Sequence, residues 1–223
     1  MPGAQVKIPV IFAPATPLAG LCYLNDPKDP RAGRIVTLRN RILSRCEGSP
    51  TTVVMAVTSP AAGEGRTRLA AELAISFAQH SRATLLIDAD LRRPQLHLLF
   101  DAGDRPGLAQ SLETGAAPYL STVGGVPGLH LLAAGSVRRN PMDLLSHERF
   151  PRLMENWRSR FELVVLDTPP LTLYADGLVI AGLAGRALMV ARAGHTPSRL
   201  VEGMLRRLDG ARSDVVGTVL NHF

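Results

Sequence analysis

From residue 53 onward the chain alternates between short, nearly continuous apolar runs and longer stretches with a helical period. The runs are Val53 to Val57, Thr84 to Ile87, Leu129 to Leu132, Leu163 to Leu166, Ala187 to Val190 and Val215 to Leu220. Between them, Leu69, Leu73 and Phe77 recur at helical spacing, as do Phe150, Leu153, Met154 and Trp157. Such spacing lays one apolar stripe along a helix and marks these aromatic positions as core. Strands without polar alternation are buried on both faces. The pattern therefore predicts an α/β fold with a mostly parallel central sheet and helices on both faces. In sheets of this kind ligands bind beyond the carboxyl ends of the strands, so the residues that follow each run are where chemistry is expected.

Upstream the pattern differs. Ile35, Leu38, Ile42, Leu43 and Cys46 predict an amphipathic helix over Gly33 to Cys46, with Arg34, Arg39 and Arg41 on a solvated face. Residues 1–30 have no such order, and Asp26, Pro27, Asp29 and Pro30 close them with turn-forming residues. They are read as an irregular arm preceding one domain over 31–223. Ile8 to Leu24 is apolar, but Pro9, Pro14 and Pro17 interrupt it, which argues against a spanning helix. The start also lacks the basic and apolar regions of a secretory signal, so the expected location is the cytoplasm, with any membrane contact made through a partner.

Composition narrows the picture in two ways. With 46% apolar and 20% charged residues over 223 positions, the chain can bury a sizeable core, which excludes disordered and fibrous classes. Cys22 and Cys46 are too far apart for a CxxC pair and too few for a disulfide framework, as suits a reducing compartment. The net charge of +6 invites an anionic partner. Yet the basic residues are arginines scattered along the chain, apart from Lys7 and Lys28, and aromatics make up only 4%. Few bases could stack on so sparse a set, and no nucleic acid is expected as partner.

The sharpest signal follows the first buried strand. Ser59-Pro60-Ala61-Ala62-Gly63-Glu64-Gly65-Arg66-Thr67 leads from that strand into a helix, the layout of a P-loop. Gly63 and Gly65 allow the torsions that aim successive N–H groups at phosphate oxygens, and the helix N-terminus adds its dipole. Thr67 is placed to offer a hydroxyl to Mg²⁺. Where the pattern expects lysine the chain has Arg66, which keeps the charge but is longer, planar and forked. Phosphate attraction should survive that exchange better than transition-state geometry. Glycine-rich turns also occur for steric reasons alone, so the neighbouring acidic residues matter. One strand ends in Asp88-Ala89-Asp90 and another in Asp167-Thr168-Pro169-Pro170. Asp167 suits a water-mediated Mg²⁺ ligand, and Asp88 could accept a proton from an attacking hydroxyl.

Together these runs resemble the bacterial tyrosine kinases of capsular and exopolysaccharide assembly, within the MinD and ParA class of P-loop ATPases. Leu132-Ala133-Ala134-Gly135 with Asn140-Pro141-Met142-Asp143-Leu144-Leu145 is similar to a family segment, and Gly217-Thr218-Val219-Leu220-Asn221 to its last core strand. The resemblance covers about residues 27 to 223. It implies a P-loop NTPase-like kinase domain that uses ATP and Mg²⁺ to phosphorylate tyrosine, works with an inner-membrane polysaccharide chain-length regulator and assembles as a homo-oligomeric ring. By the same resemblance, Gly63, Glu64, Gly65, Arg66, Thr67, Arg68 and Asn221 contact the nucleotide, with Asn221 at adenine. Asp88, Asp90 and Arg66 carry the chemistry, and Thr67, Asp88 and Asp167 serve the metal.

The chain departs from the family pattern at Arg66, and it ends at Asn221-His222-Phe223 without a tyrosine cluster. At the family's E-x-x-R-x-x-R subunit-contact motif it has Gly33, Val36 and Arg39. Tyr23, Tyr119 and Tyr174 remain as acceptor candidates. Two other roles stay open: a non-catalytic, nucleotide-dependent regulatory subunit, favoured by Arg66, and a MinD- or ParA-like positioning ATPase. The latter is disfavoured by Ala61, where those proteins carry an extra lysine.

Overall fold

The computed structural model describes residues 10–12, 21, 28–46, 52–80 and 82–222. Most of the 1–30 arm, including Cys22 and Tyr23, lies outside the described residues. Eight strands form one sheet in the order β1-β4-β5-β3-β6-β2-β7-β8. They are β1 (Val10–Phe12), β2 (Val53–Thr58), β3 (Thr84–Asp88), β4 (Leu120–Thr122), β5 (Leu129–Leu132), β6 (Leu163–Asp167), β7 (Arg186–Arg192) and β8 (Asp214–Asn221). From β5 to β8 all neighbours are parallel. Only the β4–β5 pair is antiparallel, and β1 joins β4 in parallel. The expected mostly parallel α/β sheet is what forms.

Strand pleating sorts the core into two. Val53, Met55 and Val57 of β2 point to one face with Val165 and Leu86, while Val54 and Ala56 point to the other with Ile87 and Leu166. The first face is covered by α1 (Pro30–Cys46) and α2 (Arg66–Gln79). The second is covered by α4 (Leu108–Thr114), α5 (Pro141–Leu145), α6 (Arg149–Arg158), α7 (Asp176–Ala184) and α8 (Ser198–Gly210). A four-residue helix, α3 (Leu96–Leu99), follows β3. Helix α2 lies between sheet and α1, and for that reason it is apolar nearly all round. Leu73, Ile75 and Phe77 are fully buried in it.

The basic face expected for α1 is only partly solvated. Arg34 and Arg41 are exposed. Arg39 instead exposes 8% of its surface and donates to the Ser76 carbonyl at 3.1 Å and the Ser76 hydroxyl at 3.3 Å. A guanidinium can be buried when its N–H groups find oxygens, and the end of α2 supplies them. Arg39 thus fastens α1 to α2.

Phe77 fixes α2, and with it the loop that α2 begins. Phe77→Ala is expected to cost about 3–5 kcal/mol, read as a fall in thermal midpoint of roughly 10 °C. An unchanged melting curve would show that this packing does not hold the helix.

Candidate functional site

The loop between β2 and α2 is built around two left-handed glycines, Gly63 at φ 75° and Gly65 at φ 89°. A side chain at either position would be strained, which is why this turn needs glycine. Glu64 lies between them, 3% exposed, and acts as a brace. Its carboxylate accepts from the Ala61 N–H at 3.0 Å and from the Thr196 hydroxyl at 2.5 Å, while its carbonyl accepts from the Asn221 amide at 3.1 Å. Thr196 itself accepts from the Arg192 N–H at 2.8 Å. The loop is thereby tied to the ends of β7 and β8. With its carboxylate committed in this way, Glu64 offers a ligand mainly its backbone.

Arg66 is also drawn into the frame. Its guanidinium donates to the Thr168 carbonyl at 2.8 Å, to the Ala61 carbonyl at 2.9 Å and to the Ser59 hydroxyl, and it lies 3.8 Å from Asp90. A lysine ammonium, being a point donor, cannot hold three such separate acceptors in one plane. The cation at the P-loop position therefore locks the start of the loop to the end of β6 while keeping its Nη2 toward Asp90.

Beside the loop, two carboxylates lie next to each other in register, because Asp88 of β3 pairs with Asp167 of β6. Asp88 is fully buried; one oxygen accepts from the Gln95 and Leu96 N–H groups at 3.0 and 2.9 Å, and the other has no partner. Burial, reinforced by the Asp167 charge, pushes the Asp88 carboxyl well above the usual range. Asp167 is 1% exposed and burial raises it to about 7. The Thr67 hydroxyl and the Arg66 charge oppose that rise, although no donor completes a hydrogen bond to either Asp167 oxygen. Two acids held this close, dry and short of donors share the cost of ionisation. Asp90, 5% exposed, accepts from the Arg92 and Arg93 N–H groups at 3.2 and 3.0 Å and is turned toward the loop.

A cavity of about 630 Å³ opens at the loop, lined by Ala62 to Arg68, by Asp90 and Arg93, and by Leu98, Leu173 and Tyr174, whereas the buried Asp88 and Asp167 are not part of its lining. Its size suits a small-molecule ligand. No cluster of three or more His, Cys, Asp or Glu side chains suited to a metal occurs among the described residues. Mg²⁺, however, keeps several waters and needs few protein oxygens. The unpartnered Asp88 and Asp167 oxygens and the neighbouring Thr67 hydroxyl are a hard-oxygen set that fits it.

The residues expected from sequence at the loop and at the acidic strand ends are thus adjacent in space. Asn221, hydrogen-bonded to the loop at the Glu64 carbonyl, lines a second depression of about 360 Å³ with Gly65, Arg68 and His222. Sequence reasoning missed Ser59, Thr168, Thr196 and Asp176. The last is 1% exposed and holds Arg92 at 2.5 and 3.2 Å. All four follow the strand ends or start a helix, which is the one signal that could have singled them out.

No protein-family model matches the chain. A tyrosine-protein kinase of Acinetobacter johnsonii is 35% identical over 171 residues, which are 75% of this chain and 23% of that protein. The kinase domain of the Escherichia coli tyrosine kinase ETK superposes with a TM-score of 0.85 at 28% identity, over 93% of this chain and 81% of that one. The chain is a homologue of the bacterial tyrosine-kinase domains. It spans about a quarter of the length of the first curated relatives it matches. Against the tyrosine-protein kinase YwqD of Bacillus subtilis, at 29% identity, it covers 84% of the relative. The fold reaches further: MinD of Pyrococcus horikoshii, complexed with Mg-ADP, superposes with a TM-score of 0.64 at 20% identity over 76% of this chain and 70% of that one.

In this kinase-domain homologue the raised Asp167 carboxyl links pH to stability. The folded state keeps a proton that the unfolded chain, with its ordinary value of 3.8, releases. The stabilisation is therefore full below about pH 4 and is lost as pH rises through about 7. Without metal or nucleotide, Asp167→Asn should melt several degrees above the parent at pH 8, with the gap narrowing toward pH 5. Melting curves that run parallel across that range would show an ordinary carboxylate.

Proposed function

We propose that the chain binds Mg·ATP at this loop and transfers its γ-phosphoryl group to tyrosine, as a kinase-like component of exopolysaccharide or capsule assembly. The observation that carries this reading is the in-register pair Asp88 and Asp167, whose unpartnered oxygens lie beside a glycine loop that opens a helix. Phosphoryl transfer is mostly positioning and charge neutralisation, and these are what the residues offer. The Gly63 to Thr67 N–H groups would hold the phosphates, and Thr67 with Asp88 and Asp167 would hold Mg²⁺, partly through water. Held there, Mg²⁺ would supply charge neutralisation to the phosphoryl group in transfer. Asp88 or Asp90 would take the phenol proton, and of the two Asp90 is the one that lines the cavity. Asn221 and Arg68, around the second depression, would face the base and ribose.

The homologous tyrosine kinases support the kinase reading. No helix among the described residues is long and apolar enough to cross a membrane. In this reading the chain works in the cytoplasm, at the inner membrane through a chain-length regulator, and self-associates. Arg66 favours a second reading, a nucleotide-dependent regulatory subunit. Three of its contacts go to protein oxygens, so less of the guanidinium is left to follow a moving phosphoryl group.

Calorimetric titration with Mg·ATP, followed by phosphotyrosine detection, separates the two. The kinase reading expects binding and a phosphotyrosine signal that Asp88→Asn lowers by roughly a hundredfold or more. Binding without phosphotyrosine, in the parent and in Arg66→Lys alike, would make the chain a regulator. No binding at millimolar nucleotide would remove both readings.

A further inference from the structure

We propose that Tyr174 is a phosphoryl acceptor, modified by the site of its own chain. The proposal rests on the kinase reading and adds the identity of the substrate group. Of the tyrosines, Tyr23 lies outside the described residues. Tyr119 is engaged elsewhere: its hydroxyl accepts from Arg105, whose guanidinium lies 5.3 Å from the ring centroid. Tyr174 differs from Tyr119 in lying in the wall of the cavity that holds Gly63, Arg66, Thr67 and Asp90. It is half-buried, with the Arg92 guanidinium against its ring.

The segment that carries Tyr174 is joined to the phosphate loop itself. The Leu171 N–H donates to the Ser59 carbonyl at 2.9 Å. Thr172 donates to the Pro60 carbonyl twice, through its N–H at 3.1 Å and its hydroxyl at 2.6 Å. On the other side of Tyr174, buried Asp176 grips Arg92. The ring is therefore held by main-chain contacts on one flank and an ion pair on the other, so the distance from Tyr174 to the loop is a fixed property of one body. Such fixing is what converts an encounter into an intramolecular step.

The surroundings also suit the product. The Arg92 guanidinium lies 4.3 Å from the Tyr174 ring centroid, and Arg93 lines the same cavity. A phosphate on Tyr174 would meet two arginines, the pairing that stabilises phosphotyrosine. In the step, the Tyr174 phenol oxygen forms a bond to the γ-phosphorus of ATP and the bond to the β–γ bridging oxygen breaks. ADP leaves with that electron pair, and the phenol proton passes to Asp90 in the same wall.

The test incubates the full chain with Mg·ATP carrying a labelled γ-phosphate, maps the modified residue by mass spectrometry and follows the rate at several protein concentrations. The expected result is label on Tyr174 with a rate constant independent of protein concentration, lost in Tyr174→Phe and kept in Tyr119→Phe. Label on Tyr23 or Tyr119 with Tyr174 unmodified would overturn the proposal and leave the kinase reading standing. A rate constant that rises in proportion to concentration would overturn modification by the same chain. Absence of phosphotyrosine from every residue would overturn proposal and kinase reading together.

Discussion

Two acidic side chains held against each other at the ends of adjacent central strands are the constraint around which this protein is arranged. Asp88 and Asp167 are brought together by the β3–β6 register, so their proximity follows from the pairing of two apolar runs rather than from any local turn. Left dry and short of donors, such a pair opposes folding when both groups ionise. The surrounding residues offset that cost: Gln95 and Leu96 supply N–H groups to one oxygen of Asp88, and Arg66 lies near enough to temper Asp167. What remains uncompensated is an unmet demand for positive charge and for oxygen-bound ligands, located where the glycine loop ends.

This arrangement gives the departure at Arg66 a structural meaning. A guanidinium at the loop position reaches Ser59, Ala61 and Thr168 at once, so it serves the frame as much as any ligand. Glu64 does the same from the other side through Thr196. The loop is accordingly stiff before anything binds, which lowers the ordering cost that a flexible glycine turn would otherwise carry.

The central strands, the long helices and the loop were legible in the sequence because each leaves a local trace: unbroken aliphatic runs, a 3.6-residue period, or glycines where φ is positive. The edges were not. Strand β4, Leu120–Thr122, is three residues long and mostly polar, so no apolar run announces it. Helices α3, α4 and α5 are too short to show a period. Arg39 reads as a surface residue until Ser76, 37 positions away, provides it with oxygens. Asp88 and Asp167 stood out because a charge directly after three or four apolar residues is uncommon. Thr196 and Thr168 did not, since a hydroxyl gives no such contrast and its partner is named only by the fold.

The bracing of the loop has a consequence for how the molecule comes apart. Through Glu64, Thr196 and Asn221 the loop grips the β7–β8 half of the sheet, and through the Pro60 and Ser59 carbonyls it grips the segment after β6. It is a suspended span anchored on two banks, so loosening either bank slackens the middle. A phosphate compound seated on that span would knit both halves into one cooperative unit, and occupancy would register as delayed exchange of amide protons at the distant strand β8.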